Sequence, residues 1–520
     1  MRGSQGTAGA AGLLTAAMVA SRLLGYVREV LLYARFGQNN LTDAYQAAFS
    51  IPDFLYLLLV GGALSSAFIP VFAGYLATDR EEEAWKVAST VFNFVILMML
   101  VGIGLGLIYT PQLVRLLVPG FDAETMRLTV KLTRIMFAQA FFMALSGVAM
   151  GVLYSYRYFT ATALSAVLYN LGIILVGWFL SPYLGITAFS LGVVVGAVAG
   201  FAVQVPPLLR YGVRYHFSLN LGHPGVRKIW RLMVPVLISL SVTQLNLFVN
   251  QNLASHLAEG LVAALRTAQR LMQLPIGTLG VALAVASFPN LTIQAAQGRY
   301  DDYRRTLSLG LRSLVFLLVP ASLGLIALRV PIVRLLFEQG KFTPEDTLAT
   351  AQALLFYSLG IVAYGCIQVL NRSFYALQDT TTPMVAGVAA IGLNIWLNVS
   401  LVGPLGHGGL ALAYSLAGGF NFVLLLLLLR RRLGRIGGRA LATSGLKSLL
   451  AGTVAVLGAW VVAGHLEPYA LLAGKLGQAQ QVGAAIGLAL LVFVLAAVAM
   501  RMEEVGQVWE VVKRRLGRQP

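Results

Sequence analysis

The sequence predicts an all-α polytopic membrane protein with about fourteen transmembrane helices. These form two six-helix lobes related by a parallel repeat, followed by two extra C-terminal helices. Three observations predict it. The 520 residues are 58% hydrophobic and only 11% charged, a balance foreign to soluble domains of this length. Apolar segments of bilayer-spanning length recur from end to end, too long for barrel strands, and lipid then leaves their backbone only the helix. Landmarks of the first half return six spans later in the second.

In chain order the spans fall at 9–34, 44–76, 86–110, 127–155, 160–180, 185–209, 229–256, 261–296, 306–328, 347–376, 383–403, 408–429, 446–464 and 481–500. The first lacks a small-residue cleavage site and continues into a charged motif, so it reads as a helix and not as a signal peptide. The single cysteine, Cys366, excludes a disulfide framework and a thiolate metal site. A net charge of +18 could suggest nucleic acid, but the charges sit in short loops between spans and instead report membrane orientation. With the N-terminus inside, inside segments hold 23 of the 38 Lys and Arg, outside segments nine and the spans six. Both termini are therefore expected in the cytoplasm.

The repeat shows where the third span ends in LVRLLVPGFDAET (113–125) and the ninth in IVRLLFEQGKFTPEDT (332–347). A second echo joins LGITAFSLG (184–192) to GGLALAYSLAGG (408–419). An even number of helices between echoes preserves orientation, so the repeats are parallel. The expected division is an N-terminal lobe at 1–215, a C-terminal lobe at 216–440, and accessory helices with a basic cytoplasmic tail at 441–520. Two outer loops read as short amphipathic surface helices. In the second, Pro331 opens the helix, Arg334 and Glu338 pair one turn apart, and Gly340 closes it. Thr343, Pro344 and Asp346 then supply an N-cap, a first-turn proline and an N3 acid for the tenth span.

Charges inside the spans mark the candidate site. SRLLGYVREVLLYARFG (21–37) places Arg22, Arg28 and Glu29 at bilayer depth, where one charge costs at least about 2.5–3.5 kcal/mol. Arg22, Gly25 and Glu29 share a helix face, with Arg28 about a third of a turn away. Gly25 would loosen the helix and let both arginines aim at one cavity. The structural alternative pairs Arg22 with Glu29 and lets Arg28 snorkel to an interface. In the eighth span Arg266 and Arg270 stand one turn apart, where like charges repel unless a polyanion joins them. The planar guanidinium fork suits phosphate, so a pyrophosphate between the two clusters would join the lobes. Interfacial anchoring is the alternative for this pair.

Asn246 and Asn250 of the seventh span, with Asn394 and Asn398 of the eleventh, offer contacts to a cation or to sugar hydroxyls. Interhelical hydrogen bonding explains them equally well. No catalytic constellation is present: the histidines are scattered, HExxH is absent, and GIGLG at 102–106 lies within a span. An enzyme, a cofactor and a metal site are therefore not expected.

At these residues the chain resembles the MurJ-type lipid II flippases, within the superfamily that includes MATE exporters and polysaccharide flippases. The resemblance rests on SRLLGYVRE (21–29), TDAYQAAFSIPD (42–53), GALSSAFIPVFAGY (62–75), RLMQLPIGTLGVAL (270–283), FEQGKFTPEDT (337–347), FYALQDTTTP (374–383) and GPLGHGGLALA (403–413). It implies two lobes around a central cavity, a groove for the polyprenyl tail formed by the last two helices, and lipid II carried to the outer leaflet of the bacterial cytoplasmic membrane. Carried over, the family's essential arginines fall on Arg22, Arg28 and Arg270 and its outer-end acid on Asp43; Gly25, Glu29 and Asp53 are read with Asp43 as supporting or gating residues. Membrane lipids and cell-wall synthesis proteins are candidate partners. Coupling, if any, is to the membrane potential or to a monovalent cation.

The chain also departs from the family. A double arginine and an acid usual after IPN are replaced across Tyr56, Leu57, Gly61, Gly62 and Ala63, while Gln269 replaces the acid before Arg270. Arg266 is an extra cation, expected to take over part of the missing role. Asn394 and Asn398 bring no carboxylate to a sodium site. The alternative function is export of another polyprenyl-pyrophosphate glycan, or MATE-like export of an amphipathic small molecule.

Overall fold

The computed structural model describes residues 7–60 and 63–506, and the described residues are helical and irregular without strands. The first expected span is one helix, α1 (Thr7–Phe36), unbroken through Gly25. Gly25 therefore does not loosen it, and a Cβ there would make only ordinary contact with Asn170. The second span is a series, α2 (Asn40–Ala48), α3 (Ser50–Leu59) and α4 (Ala63–Ala77). Pro52 explains the first break: it has no N–H for the Ala48 carbonyl, so a continuous ladder would fail there. The segment around Gly61 and Gly62 lies outside the described residues.

The first half continues with α5 (Glu81–Leu117), α6 (Ala123–Ser155), α7 (Thr160–Leu184), α8 (Thr187–Ala202), α9 (Val205–Arg210) and α10 (Pro224–Ser255). Helix α5 runs on to Leu117, so the short surface helix expected in the first outer loop is its last turns and not a separate element. The eighth span divides into α11 (Leu261–Pro275), a π-helical turn at Ile276–Gly280 and α12 (Val281–Ala296). Then come α13 (Tyr300–Ala327), α14 (Arg329–Phe337), α15 (Pro344–Ser358), α16 (Ile361–Ala376), α17 (Thr381–Leu405), α18 (His407–Leu433), α19 (Gly438–Leu472) and α20 (Gly474–Ala499). The second surface helix is present as α14, opening two residues before Pro331, with Arg334 and Glu338 paired at 3.7 Å. Thr343 and Asp346 form the capping box expected before α15.

Ten helices among the described residues are long and apolar enough to cross a membrane, and eleven when α15 and α16, bent by 45°, count as one span. The remaining expected spans coincide with α1, with the broken series α2–α4 and with α10, which carry charges, breaks or runs of polar residues. At the α15–α16 bend the freed carbonyls are taken by hydroxyls: Ser415 Oγ donates to Phe356 O and Ser322 Oγ to Ser358 O, both at 2.6 Å. Such replacements allow a broken helix at bilayer depth.

The repeat is visible in backbone detail. Arg157 and Gln378, both non-glycine residues at positive φ (59° and 58°), precede α7 and α17 at the same 221-residue spacing. Gly185 and Gly406 close those helices, also at positive φ (57° and 55°). Each then accepts at its carbonyl from the amide three residues on.

By contacts the chain forms two compact units, Met1–Val262 with Gln339–Phe342, and Ala263–Glu338 with Thr343–Pro520. In the first, α10 packs on α3, α4 and α5, so this helix sits with the first half although the repeat assigns it to the second. The core of that unit gathers Phe68, Phe72, Trp85 and Met99 around Val148 and Val152. In the second unit the hairpin α19–α20 packs on α13 through Ala451, Gly452, Ala455 and Ala459, small residues that let the helices approach closely. The hairpin is fixed at both ends. Lys475 Nζ donates to the last carbonyls of α14 at Arg334 and Leu335, and Arg334 pairs with Glu467 at 2.8 Å. At the other end Arg312 pairs with Glu504 at 2.8 Å and Glu503 at 2.9 Å. The part of the expected basic tail from residue 507 onward lies outside the described residues.

Candidate functional site

Helix α1 supplies the first half of the site. Arg28 is mostly buried and pairs through Nη2 with Glu29 Oε1 at 2.9 Å. Its Nη1 donates to Asn170 Oδ1 of α7 at 3.3 Å. Glu29 is 3% exposed, and its other oxygen accepts from Gln46 Nε2 of α2 at 3.2 Å. Gln46 in turn reaches the Tyr33 hydroxyl at 3.2 Å. The structural alternative, Arg22 paired with Glu29, is not what the structure has: Arg28 pairs with Glu29, and Arg22 is exposed. Neighbouring residues lie about 100° apart on a helix, yet a guanidinium is long enough to reach back across that angle. A carboxylate and an amide both hold the buried Arg28 guanidinium, the partners a buried ion requires.

Asn170 is the hub that sequence reasoning missed. Its amide donates to the Ser21 carbonyl and hydroxyl, both at 3.2 Å, while its oxygen accepts from Arg28. A cavity of about 260 Å³ opens beside it, lined by Ser21, Tyr56, Tyr169 and Asn170 among others. Tyr56 thus lines a small, mainly apolar cavity within the first unit. A lone asparagine in the apolar span 160–180 was the available signal.

Asp43 lies at the other end of α2, in its first turn behind the Asn39–Thr42 capping box. It is buried, and Oδ2 accepts from the Gly260 backbone amide at 2.7 Å. Gly260 is at φ +81°, and a Cβ there would stand 2.6 Å from Gln38 O, so two separate constraints demand glycine. Asp53 accepts from Gln139 Nε2 at 3.2 Å. On α10, Asn250 Nδ2 donates to Asn246 O at 2.7 Å, and Ser50 of α3 donates to Gln251.

In the second unit Arg266 and Arg270 stand one turn apart on α11, both partly buried. Gln269 lies between them in sequence, next to Arg270. Tyr414 stacks on Tyr364 at 4.6 Å and meets Tyr357 edge-on at 5.5 Å. The π-helical turn begins six residues after Arg270, following Pro275, and brings Gly280 against Gly365. Such turns are frequent at functional sites. Asn398 Nδ2 donates to Asn394 Oδ1 at 3.1 Å in a buried pair. Among the described residues no group of three or more His, Cys, Asp or Glu side chains gathers to hold a metal.

Comparison with known proteins decides the family. The sequence profile described as "Lipid II flippase MurJ" matches residues 32–475. The chain belongs to the MurJ lipid II flippase family. Within it, the chain is 34% identical to the lipid II flippase MurJ of Burkholderia cenocepacia over 79% of its own length and 81% of the relative's. It is 33% identical to the probable lipid II flippase MurJ of Vibrio cholerae, covering 80% and 81%. A solved structure described as lipid II flippase MurJ in an inward closed conformation superposes with a TM-score of 0.79 at 27% identity, covering 94% of this chain and 99% of that one. An inward-facing MATE-family transporter of the MOP superfamily shares the fold with a TM-score of 0.65 at 16% identity, over 80% and 95%. The MurJ family assignment makes this a multi-pass membrane protein with a transporter's fold.

Proposed function

We propose that the chain carries lipid II, a polyprenyl-pyrophosphate-linked disaccharide-pentapeptide, from the inner to the outer leaflet of the bacterial cytoplasmic membrane. Membership of the MurJ family carries this reading; the intramembrane arginines of α1 and α11 supply its chemistry. Arg22, Arg28, Arg270 and Arg266 contact the pyrophosphate, since charge-assisted bonds from planar guanidinium forks suit its oxygens. Glu29 holds Arg28 in the absence of substrate, and phosphate oxygens take its place on arrival. Gly25, Asp43 and Asp53 support or gate the site. The repeat halves 1–215 and 216–440 rock in alternating access, and the accessory part 441–520 carries the tail groove. Both termini lie in the cytoplasm. The protein acts as a transporter without catalysing a covalent step or using a cofactor. Asn246, Asn250, Asn394 and Asn398 contact a monovalent cation or sugar hydroxyls.

The test is complementation. Cells depleted of their own flippase and expressing this chain should grow and expose lipid II outside. Lysis despite membrane-inserted protein would overturn the proposal.

A further inference from the structure

The connection between α9 and α10 presents its apolar side chains in the direction water would forbid. Val213, Tyr215, Phe217, Leu219 and Leu221 are all exposed, every second residue of the segment, and Phe217 is 94% exposed. The segment is nonetheless firmly held. Asn93 of α5, itself buried, donates to His216 O at 3.1 Å and Ser218 O at 2.9 Å, and its oxygen accepts from the Tyr215 hydroxyl. The His216 amide donates to Ser89 Oγ at 3.0 Å, and His223 Nε2 meets Glu83 at 2.8 Å. These polar pins, the Tyr215 hydroxyl among them, fix the segment while Phe217, Leu219 and Leu221 stay exposed.

Beneath the segment is a cavity of about 190 Å³ whose wall presents no polar surface, lined by Trp85, Phe92, Val152, Leu208, Val213 and Tyr215 among others. It lies where α5 begins and where α6 and α9 end, at one end of their membrane spans. Leu209 and Val213 line it, and the exposed Arg210 and Arg214 follow them directly in sequence. From Val205 to Arg231 the chain has five cations, Arg210, Arg214, Arg227, Lys228 and Arg231, and no acidic residue.

We infer that this is a binding site for an anionic phospholipid of the leaflet that faces this end of the spans. One acyl chain enters the apolar cavity, Arg210 and Arg214 hold the phosphate, and the Val213–Leu221 row lies in the headgroup–acyl boundary. Apolar area combined with basic residues is what binds anionic lipid surfaces. The site is separate from the intramembrane arginines and does not depend on what the transporter carries.

Native mass spectrometry of the full-length protein, with phosphatidylglycerol and phosphatidylcholine as probes, tests it. The wild type should retain phosphatidylglycerol several-fold better than phosphatidylcholine. Arg210→Gln with Arg214→Gln should bring the two to parity, and Ala149→Phe, which fills the cavity, should reduce both several-fold. Equal retention of the two lipids by the wild type, or no change in either variant, overturns the site. A measurement that needs no cavity variant places bimane at Phe217→Cys in a Cys366→Ala background. A nitroxide on phosphatidylglycerol should quench it several-fold more than the same nitroxide on phosphatidylcholine. Equal quenching by the two, or dominant quenching by aqueous iodide as expected of a surface facing a soluble partner, refutes the inference.

Discussion

Glu29 and Asn170 replace water around the buried Arg28 guanidinium, and in the proposed function the pyrophosphate exchanges with that carboxylate. Arg28→Ala or Arg270→Ala should therefore abolish growth of complemented flippase-depleted cells while the protein still inserts. Lysine retains the charge but loses the fork, so Arg→Lys at either position should rescue poorly. Growth at the wild-type rate with either alanine would remove these arginines from the site. The cations were legible in sequence because a charge in an apolar span is conspicuous. Their partners were not: Asn170 lies 142 residues from Arg28 in another helix, and no spacing rule connects them. Arg266 gives a second prediction at this scale. If it replaces the cation missing near Tyr56, Arg266→Ala should impair transport at least several-fold, and adding Tyr56→Arg should restore part of it. A double-mutant cycle with zero coupling would leave Arg266 an anchor and nothing more.

Helix ends and helix pairs were legible to different degrees. The capping box at Thr343 could be read directly, because caps are local and carry their own residue signature. The break in the tenth span could not, since the hydroxyls that satisfy the α15–α16 bend come from α13 and α18, whereas the break after α2 had a local signal in Pro52. At α6 the Asp122 side chain accepts from the Thr125 amide at 2.6 Å, and that bond holds its carboxyl below the ordinary carboxylate range. A depressed folded value means the contribution is full above about pH 4, the unfolded value, and fades as pH falls through the folded one. Asp122→Ala should cost about 1 kcal/mol of stability at neutral pH. Asp122→Asn should keep most of the cap and flatten the acid dependence of thermal unfolding; an unchanged acid limb in that variant would contradict the assignment. The accessory hairpin has a stronger attachment. Arg312 meets Glu504, which is 2% exposed, and Ser444 Oγ donates to the same carboxylate oxygen at 2.9 Å. Removing one partner of a buried ion pair strands the other, at about 3–5 kcal/mol. Arg312→Ala should thus lower the unfolding midpoint markedly, and Arg312→Ala with Glu504→Gln should recover much of it. Equal midpoints for the two variants would show that the pair does not hold the hairpin.

For the whole molecule, the all-helical class, the membrane setting and the internal repeat were legible because each is written many times over in composition and spacing. Packing alone reveals that α10 sits with the first half in contacts while the repeat gives it to the second. The expected orientation rests on a summed property. Inside segments hold 23 of 38 Lys and Arg, a bias that arises because basic loops resist translocation. The buried Cys366 simplifies the test, since Cys366→Ala leaves a background without native thiols. In that background Arg431→Cys, in the last turn of α18, should react with an impermeant maleimide only after cells are permeabilised. Lys341→Cys, in the loop after α14, and Leu472→Cys, at the exposed end of α19, should react in intact cells. A cysteine on the tail near Arg514 should behave like Arg431→Cys, because two further spans are expected between them. The proposed direction of transport, from the cytoplasmic to the outer leaflet, rests on this expected orientation. Labelling of Arg431→Cys in intact cells would invert the molecule and reverse the leaflet from which the arginines are loaded.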